Sequence, residues 1–165
     1  MAVELTNLDV SDLADVLALN QAHVPHVGPL DEERLAGIVA EATLALAARD
    51  ERGQLEGFVL VLGPGATYDS PNYRWFAQRH DDFRYVDRIA VRSGSHRGGL
   101  GRQLYTAVFD HARAVAAPVV TAEVNVDPPN PVSSAFHDSM GFTEVGRQET
   151  YGGSVTVALL AAPVG

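Results

Sequence analysis

The sequence predicts a single α/β (α+β) domain built on a mixed sheet with helices on both faces. Three observations carry this. Apolar residues recur with helical and strand periods in separate segments, two polar or glycine turns join strands as hairpins, and the later half runs strand, helix, strand, helix, strand, strand. A strand-helix-strand unit sets its strands parallel while hairpins are antiparallel, so the sheet has to be mixed. The 165 residues suffice for one core and are too few for two comfortable ones, so residues 1–165 are read as one domain.

Residues 3–5 form a short first strand. Asp9 or Ser11 caps a helix with Leu13, Val16, Leu17 and Asn20 at helical spacing. Pro25, Gly28 and Pro29 break the chain, and a second helix follows with Asp31, Glu32 and Glu33 in its first turn, where carboxylates suit the helix dipole. Its apolar face uses Leu35, Ile38, Val39 and Ala42. Residues 43–48 and 55–62 are strands joined by the polar turn Asp50-Glu51-Arg52-Gly53.

Residues 63–82 lose periodicity and form a long connection with one helical turn around Tyr73 and Gln78; connections of this length are usually functional or mobile. Residues 83–91 are the next strand. A helix begins near Gly99 with Leu100, Leu104, Val108 and Val115 on one stripe. After Pro118 comes the strand 119–126, then the interruption Asp127-Pro128-Pro129-Asn130-Pro131. A short helix with Val132, Phe136 and Met140 inward follows, and residues 142–148 and 154–160 close the chain as a hairpin around Gly152 and Gly153.

The formal net charge of −9 argues against a nucleic-acid-binding role, which needs a basic face. Residues 1–10 lack a basic region followed by an apolar run, so no signal peptide is expected, and apolar runs such as residues 58–62 are far too short to span a membrane. The chain has no cysteine, which excludes disulfides, thiolate metal sites and an acyl-cysteine intermediate, and fits a cytoplasmic location. His23 and His26 lack a matched third ligand, so no metal is expected.

The run His96-Arg97-Gly98-Gly99-Leu100-Gly101-Arg102 sits between a predicted strand and a predicted helix. Helix starts leave N–H groups without intrahelical partners and carry partial positive charge, so they hold phosphates, and glycines let the main chain approach closely. Arg97 and Arg102 add charge-assisted hydrogen bonds, with Arg92 and His96 nearby. A tight glycine-rich turn alone is the plainer alternative. A Walker loop is excluded because Gly101 is followed by Arg102 and Gln103 rather than Lys and Ser/Thr. A dinucleotide fingerprint would open a parallel sheet near the first strand, whereas this motif follows a long antiparallel first half.

Ile89-Ala90-Val91, the run from His96 to Gly101 and Leu104-Tyr105 together resemble the acetyl-CoA-binding core of the GNAT acetyltransferase superfamily, whose loop reads Arg/Gln-x-x-Gly-x-Gly/Ala. Asn130, Ala135-Phe136-His137 and Gly141-Phe142 resemble its second signature, Asn-x-x-Ala-x-x-x-Tyr-x-x-x-Gly-Phe, and the whole chain looks like a bacterial branch of it. Two departures stand out: His96 takes the first Arg/Gln place, and His137 takes the tyrosine place.

The resemblance implies a mostly antiparallel sheet of six to seven strands that splays between the fourth and fifth. It implies acetyl-CoA as co-substrate, with pantetheine paired to the main chain of Ile89, Ala90 and Val91 and the pyrophosphate on residues 96–102. Asn130 and His137 would touch the coenzyme from the other side. The implied reaction is transfer of an acetyl group to a primary amine of a small molecule or peptide, directly in a ternary complex, with homodimerisation the superfamily habit. The alternative from another class is an acyl-CoA-binding sensor that has lost turnover.

Glu123 is the preferred general base, Asp87 the second candidate and His137 the acid or shuttle. Each has a plain alternative: Glu123 as an ion-paired carboxylate on the sheet, Asp87 salt-bridged to Arg88, and His137 as packing. Superfamily acceptors enter beside the first helices and the loops before the coenzyme strand. That points to His26 (with His23 and Pro25) and to Tyr68, Asn72, Tyr73 and Trp75 (with Asp69), aromatics that can meet an ammonium by cation–π contact. The plainer reading of Trp75 and Phe76 is that they anchor the long loop or meet a partner subunit.

Overall fold

The computed structural model describes residues 2–94 and 99–165. The strands are β1 (Val3–Asn7), β2 (Leu44–Asp50), β3 (Leu55–Leu62), β4 (Arg84–Val91), β5 (Val119–Asp127), β6 (Thr143–Thr150) and β7 (Val155–Pro163). The helices are α1 (Leu13–Ala22), α2 (Glu32–Glu41), α3 (Pro71–Ala77), α4 (Leu100–Ala114) and α5 (Pro131–Ser139). The seven strands run in the order β1-β2-β3-β4-β5-β7-β6. β1–β2, β2–β3, β5–β7 and β6–β7 pair antiparallel. β4 and β5 pair in parallel at Arg84–Val120 and Tyr85–Thr121, and that ladder then stops, in accord with the expected splay.

The helix starts follow from local chemistry. The Asp9 side chain accepts from the Val10 N–H while the Asp12 carboxylate accepts from the Asp9 N–H at 2.8 Å, a reciprocal cap on a single 3₁₀ turn that leads into α1. Asp31 caps α2 by accepting from the Arg34 N–H at 2.8 Å. Ser70 caps α3 and Pro71 occupies its first turn, so this helix starts earlier than the Tyr73 position read from the sequence.

The chain divides into two compact units. The first comprises Met1–Leu62 and Asp87–Val108. Its core holds Val16, Leu19, Leu35, Ile38, Phe58, Leu60 and Leu104. β3 is buried at almost every position, as befits an unbroken apolar run in an inner strand. Gly57 decides the fit there. A Cβ at this position would lie 2.9 Å from the Ala90 carbonyl oxygen and 3.2 and 3.4 Å from Leu100 and Leu104 side-chain atoms, so its absence lets α4 seat beside β3 and β4.

The second unit comprises Gly63–Val86 and Phe109–Gly165. Its aromatic cluster centres on Tyr73, whose ring lies 5.7 Å from Phe83, 5.8 Å from Tyr85 and 6.0 Å from Tyr68. The Tyr73 hydroxyl donates to the Gly63 carbonyl at 2.7 Å and accepts from the Ala66 N–H, pinning the long connection to α3. Trp75 packs on Gly146, where a Cβ would sit 2.5 Å from the indole.

Two stripe positions differ from the sequence reading. Val115 falls just past α4 and is 43% exposed. On α5, Val132 is 79% exposed and His137 is 5% exposed. The Asn130 cap and Pro131 fix where α5 begins, so His137 turns toward the protein in place of Val132, while Ser133, Phe136 and Met140 are half-buried. Burial holds the His137 pKa below its ordinary value, opposed by the hydrogen bond to the Ser133 carbonyl. His111 is depressed in the same direction by burial and by the Arg84 charge.

Two measurements test this account. Gly57→Ala should lower the unfolding free energy by about 1–3 kcal/mol because main chain must shift. Gly37→Ala, on α2 with nothing within 4 Å of the new Cβ, should raise it by up to about 1 kcal/mol. Both are read from denaturant midpoints. The depressed histidines also set a pH slope. The unfolded chain takes up protons first on acidification, so stability is full above the ordinary histidine value of 6.5 and falls as pH drops through the lowered folded values. His137→Phe should flatten that slope in thermal melts, and an unchanged slope would refute the neutral buried imidazole.

Candidate active site

In the first unit, the expected coenzyme strand and loop are the end of β4 and the start of α4. Ala90 is buried, while Ile89 and Val91 are half-buried. Gly99 has φ +72, a left-handed conformation that disfavours side chains, and among the described residues a Cβ there would meet no atom within 4 Å. Leu100 follows as a buried anchor, and the Gln103 N–H donates to the Gly99 carbonyl at 3.0 Å, closing the first turn of α4. The main-chain N–H groups of Leu100 and Gly101 thus stand at a helix start, the geometry that receives anions. Arg102 is exposed. His96, Arg97 and Gly98 lie outside the described residues. Arg92 is fastened to β3: its Nε donates to the Leu55 carbonyl at 2.9 Å and its main-chain N–H to the Glu56 carbonyl at 2.7 Å.

Behind this strand end lies a buried polar network. The Arg88 Nε donates to Asp87 Oδ2 at 2.7 Å, with side-chain exposures of 7% and 3%. Arg88 Nη1 donates to Asn20 Oδ1 at 3.0 Å and to the Gly28 carbonyl at 2.8 Å. Asn20 Nδ2 donates to the same Gly28 carbonyl and to Gln21 Oε1, which also accepts from the Leu30 N–H. Asp87 is therefore committed to a guanidinium. His23 stands one turn along, and its ring Nε2 lies 2.8 Å from the Val91 carbonyl oxygen. His26 is exposed in the same segment.

In the second unit, Glu123 is half-buried on β5 and its Oε1 accepts from the hydroxyl of fully buried Tyr85 at 2.8 Å. A hydroxyl donor fixes the carboxylate rotamer. Asn130 caps α5, its side chain accepting from the Ser133 N–H, and its own N–H donates to the Asn125 carbonyl at 3.1 Å. The His137 Nδ1 donates to the Ser133 carbonyl at 2.8 Å, and its ring packs 5.3 Å from Phe142 and 5.7 Å from Phe136.

The acceptor candidates divide between the units. His26 belongs to the first, and Tyr68, Asn72, Tyr73 and Trp75 belong to the second. Tyr73 serves the aromatic cluster, Asn72 Oδ1 accepts from Gln148 Nε2 at 2.7 Å, and Trp75 sits between Gly146 and the Arg79 guanidinium, 3.8 Å from its ring. Sequence reasoning did not single out Tyr85, Asn20 or Gly57, nor the tie from His23 to Val91. Only the Tyr85–Asp87–Ile89 alternation gave a hint of the first, by placing Tyr85 on a definite sheet face. Among the described residues no group of three or more His, Cys, Asp or Glu side chains could hold a metal ion, and no helix is long and apolar enough to cross a membrane.

No curated protein matches the sequence at a significant level. The fold is similar to the ribosomal-protein-S18-alanine N-acetyltransferase from Escherichia coli, at 20% identity and TM-score 0.76, covering 99% of this chain and 94% of that one. It is similar to Chaetomium thermophilum Naa20 in complex with a bisubstrate analogue, at 20% identity and TM-score 0.79, covering 97% and 86%. A third likeness is to the NatC complex bound to Gag peptide and CoA, at 16% identity and TM-score 0.79, covering 99% of both chains. The model of the acetyltransferase (GNAT) family matches residues 16–142, through both units, and the chain therefore belongs to the GNAT family of acetyl-CoA-dependent acetyltransferases.

Proposed function

We propose that residues 1–165 work as one N-acetyltransferase domain that moves an acetyl group to a primary amine of a small molecule or peptide by direct attack in a ternary complex. The observation that carries this reading is the Glu123 carboxylate, fixed by the hydroxyl of fully buried Tyr85. The residues present suit acetyl-CoA: at the left-handed Gly99, immediately before α4 begins, no described residue fills the place of a Cβ. Residues 96–102 would hold its phosphates and the main chain of Ile89, Ala90 and Val91 its pantetheine arm. Acetyl-CoA supplies an acyl group activated as a thioester.

The protein's part is proton handling and orientation. An alkyl ammonium with a pKa near 10.4 is not a nucleophile at neutral pH, so a base must take its proton. Glu123 has that role in this reading, directly or through water, a contribution of about 10² to 10⁴ in rate. Tyr85 holds one carboxylate oxygen so that the other keeps a fixed direction. The Val91 N–H serves as the donor for charge developing on the acyl oxygen. We give Asp87 and His137 structural roles, because Asp87 is paired with Arg88 and the His137 Nδ1–H is given to Ser133. The absence of cysteine supports direct transfer over a thioester-enzyme route. A peptide amine as acceptor draws support from the similar fold that acts on an alanine of ribosomal protein S18 and the one bound to Gag peptide.

The test is thiol release from acetyl-CoA against a panel of small amines and peptides. Glu123→Gln should lower kcat by about 10²-fold or more with acetyl-CoA affinity changed little. Tyr85→Phe should lower it by about 10-fold, the loss of one hydrogen bond to a charged group. Wild-type turnover in Glu123→Gln would dismiss the base. An acetylated enzyme accumulating in mass spectra would dismiss direct attack, and silence on every amine would dismiss the transferase reading.

A further inference from the structure

α1 ends at His23, and the imidazole faces two main-chain carbonyl oxygens. Nδ1 lies 2.9 Å from that of Leu19 and Nε2 lies 2.8 Å from that of Val91. A carbonyl only accepts, so each of these contacts is a hydrogen bond donated by the ring. The Leu19 contact alone would be an ordinary interaction at the carbonyl-rich end of a helix. The Val91 contact is different. Val91 is the last residue of β4, 68 positions away in the chain, and its main chain is where the pantetheine arm is placed above.

The contact is also one of a pair. Asn20 and His23, one turn apart on α1, meet Arg88 and the Val91 carbonyl on β4. The intervening loop is held in the same grip, since the Gly28 carbonyl accepts from both Arg88 and Asn20. Residues 24–31 therefore cannot shift freely without disturbing either the network or the end of β4.

Resting on the acetyl-CoA reading, we propose that His23 is a positioning residue: it sets the Val91 main chain for the coenzyme and, through that bond, couples the order of residues 24–31 to coenzyme occupancy. A carbonyl has two acceptor sites, so the Val91 oxygen can take a pantetheine N–H while His23 holds its orientation. The segment so coupled carries exposed His26 and leads into α2, which would make acceptor entry responsive to whether coenzyme is present.

The experiment uses the full chain and coenzyme A as the probe, with calorimetry and hydrogen exchange on wild type, His23→Leu and His23→Gln. Wild type should bind, and binding should slow exchange in residues 24–31. His23→Leu should bind roughly 3- to 10-fold more weakly and lose most of that protection, the effect of one hydrogen bond. His23→Gln, whose amide can still donate to one carbonyl, should recover part of both, an effect that lost helix packing would not produce. Equal affinity and equal protection in wild type and His23→Leu would overturn the proposal while leaving the acyltransferase reading intact. If His23→Leu does not fold, the wild type decides, since coenzyme binding without any slowing of exchange in residues 24–31 overturns it too. Failure of the wild type to bind coenzyme A at all would instead remove the reading on which the proposal rests.

Discussion

The first unit is organised around a guanidinium that has been taken out of water. Arg88 sits in an inner strand with a side chain 7% exposed, and an isolated charge there would be prohibitive. It is tolerated because three acceptors converge on it: Asp87 from its own strand, Asn20 from α1 and the Gly28 carbonyl from the connection to α2. Such a group adds little net stability compared with a well-packed apolar side chain, yet leaving it with a partner missing costs about 3–5 kcal/mol. Its effect is specificity. The arginine ties α1 and residues 24–31 to β4, and the same placement brings His23 to Val91.

The same logic explains how an acidic chain suits an anionic co-substrate. A net charge of −9 gives no long-range attraction, and at physiological salt exposed charges act over only about 8 Å. Recognition has to be local, and in the proposed reading it is made largely of main chain. Arg92 illustrates the point: it lies close in sequence to the glycine run, but its guanidinium is used to bind the Leu55 carbonyl on β3. What the proposed reading relies on is backbone, in the left-handed Gly99 and the start of α4. Gly57 serves the same end from beneath, because α4 reaches its place only where β3 carries no side chain.

Most elements were legible in the sequence because their signals are local. Asp9, Asp31, Ser70 and Asn130 mark helix starts by chemistry acting within a few residues, and the apolar run of β3 marks a buried strand. The glycine run and the Asn130 signature were legible as a family resemblance for the same reason. The helix faces were less so: Val132 and His137 differ in exposure from the expected stripe because a nine-residue helix has too few turns to fix its phase by pattern alone. The contacts that organise the candidate residues within each unit were not legible at all. Tyr85 to Glu123 spans 38 positions, and Asn20 to Arg88 and His23 to Val91 span 68 each. Bonds of this kind depend on strand register and helix placement, which no local window contains.

Register also explains why the tyrosine and the glutamate meet. In the parallel pairing of β4 with β5, Tyr85 stands opposite Thr121, so its same-face neighbours on β5 are Thr121 and, two residues on, Glu123. The ladder stops at that rung, which leaves Tyr85 as the last residue of β4 paired with β5 and lets its side chain reach along β5 rather than straight across. A slip of one residue would send Tyr85 to the other face of the sheet, away from the aromatic cluster of Tyr73 and Phe76 that surrounds its ring. The apolar ring therefore holds the register, and the register in turn delivers the hydroxyl to the carboxylate. Packing and chemistry are thereby set by one side chain, whose ring belongs to the core and whose oxygen belongs to the candidate site.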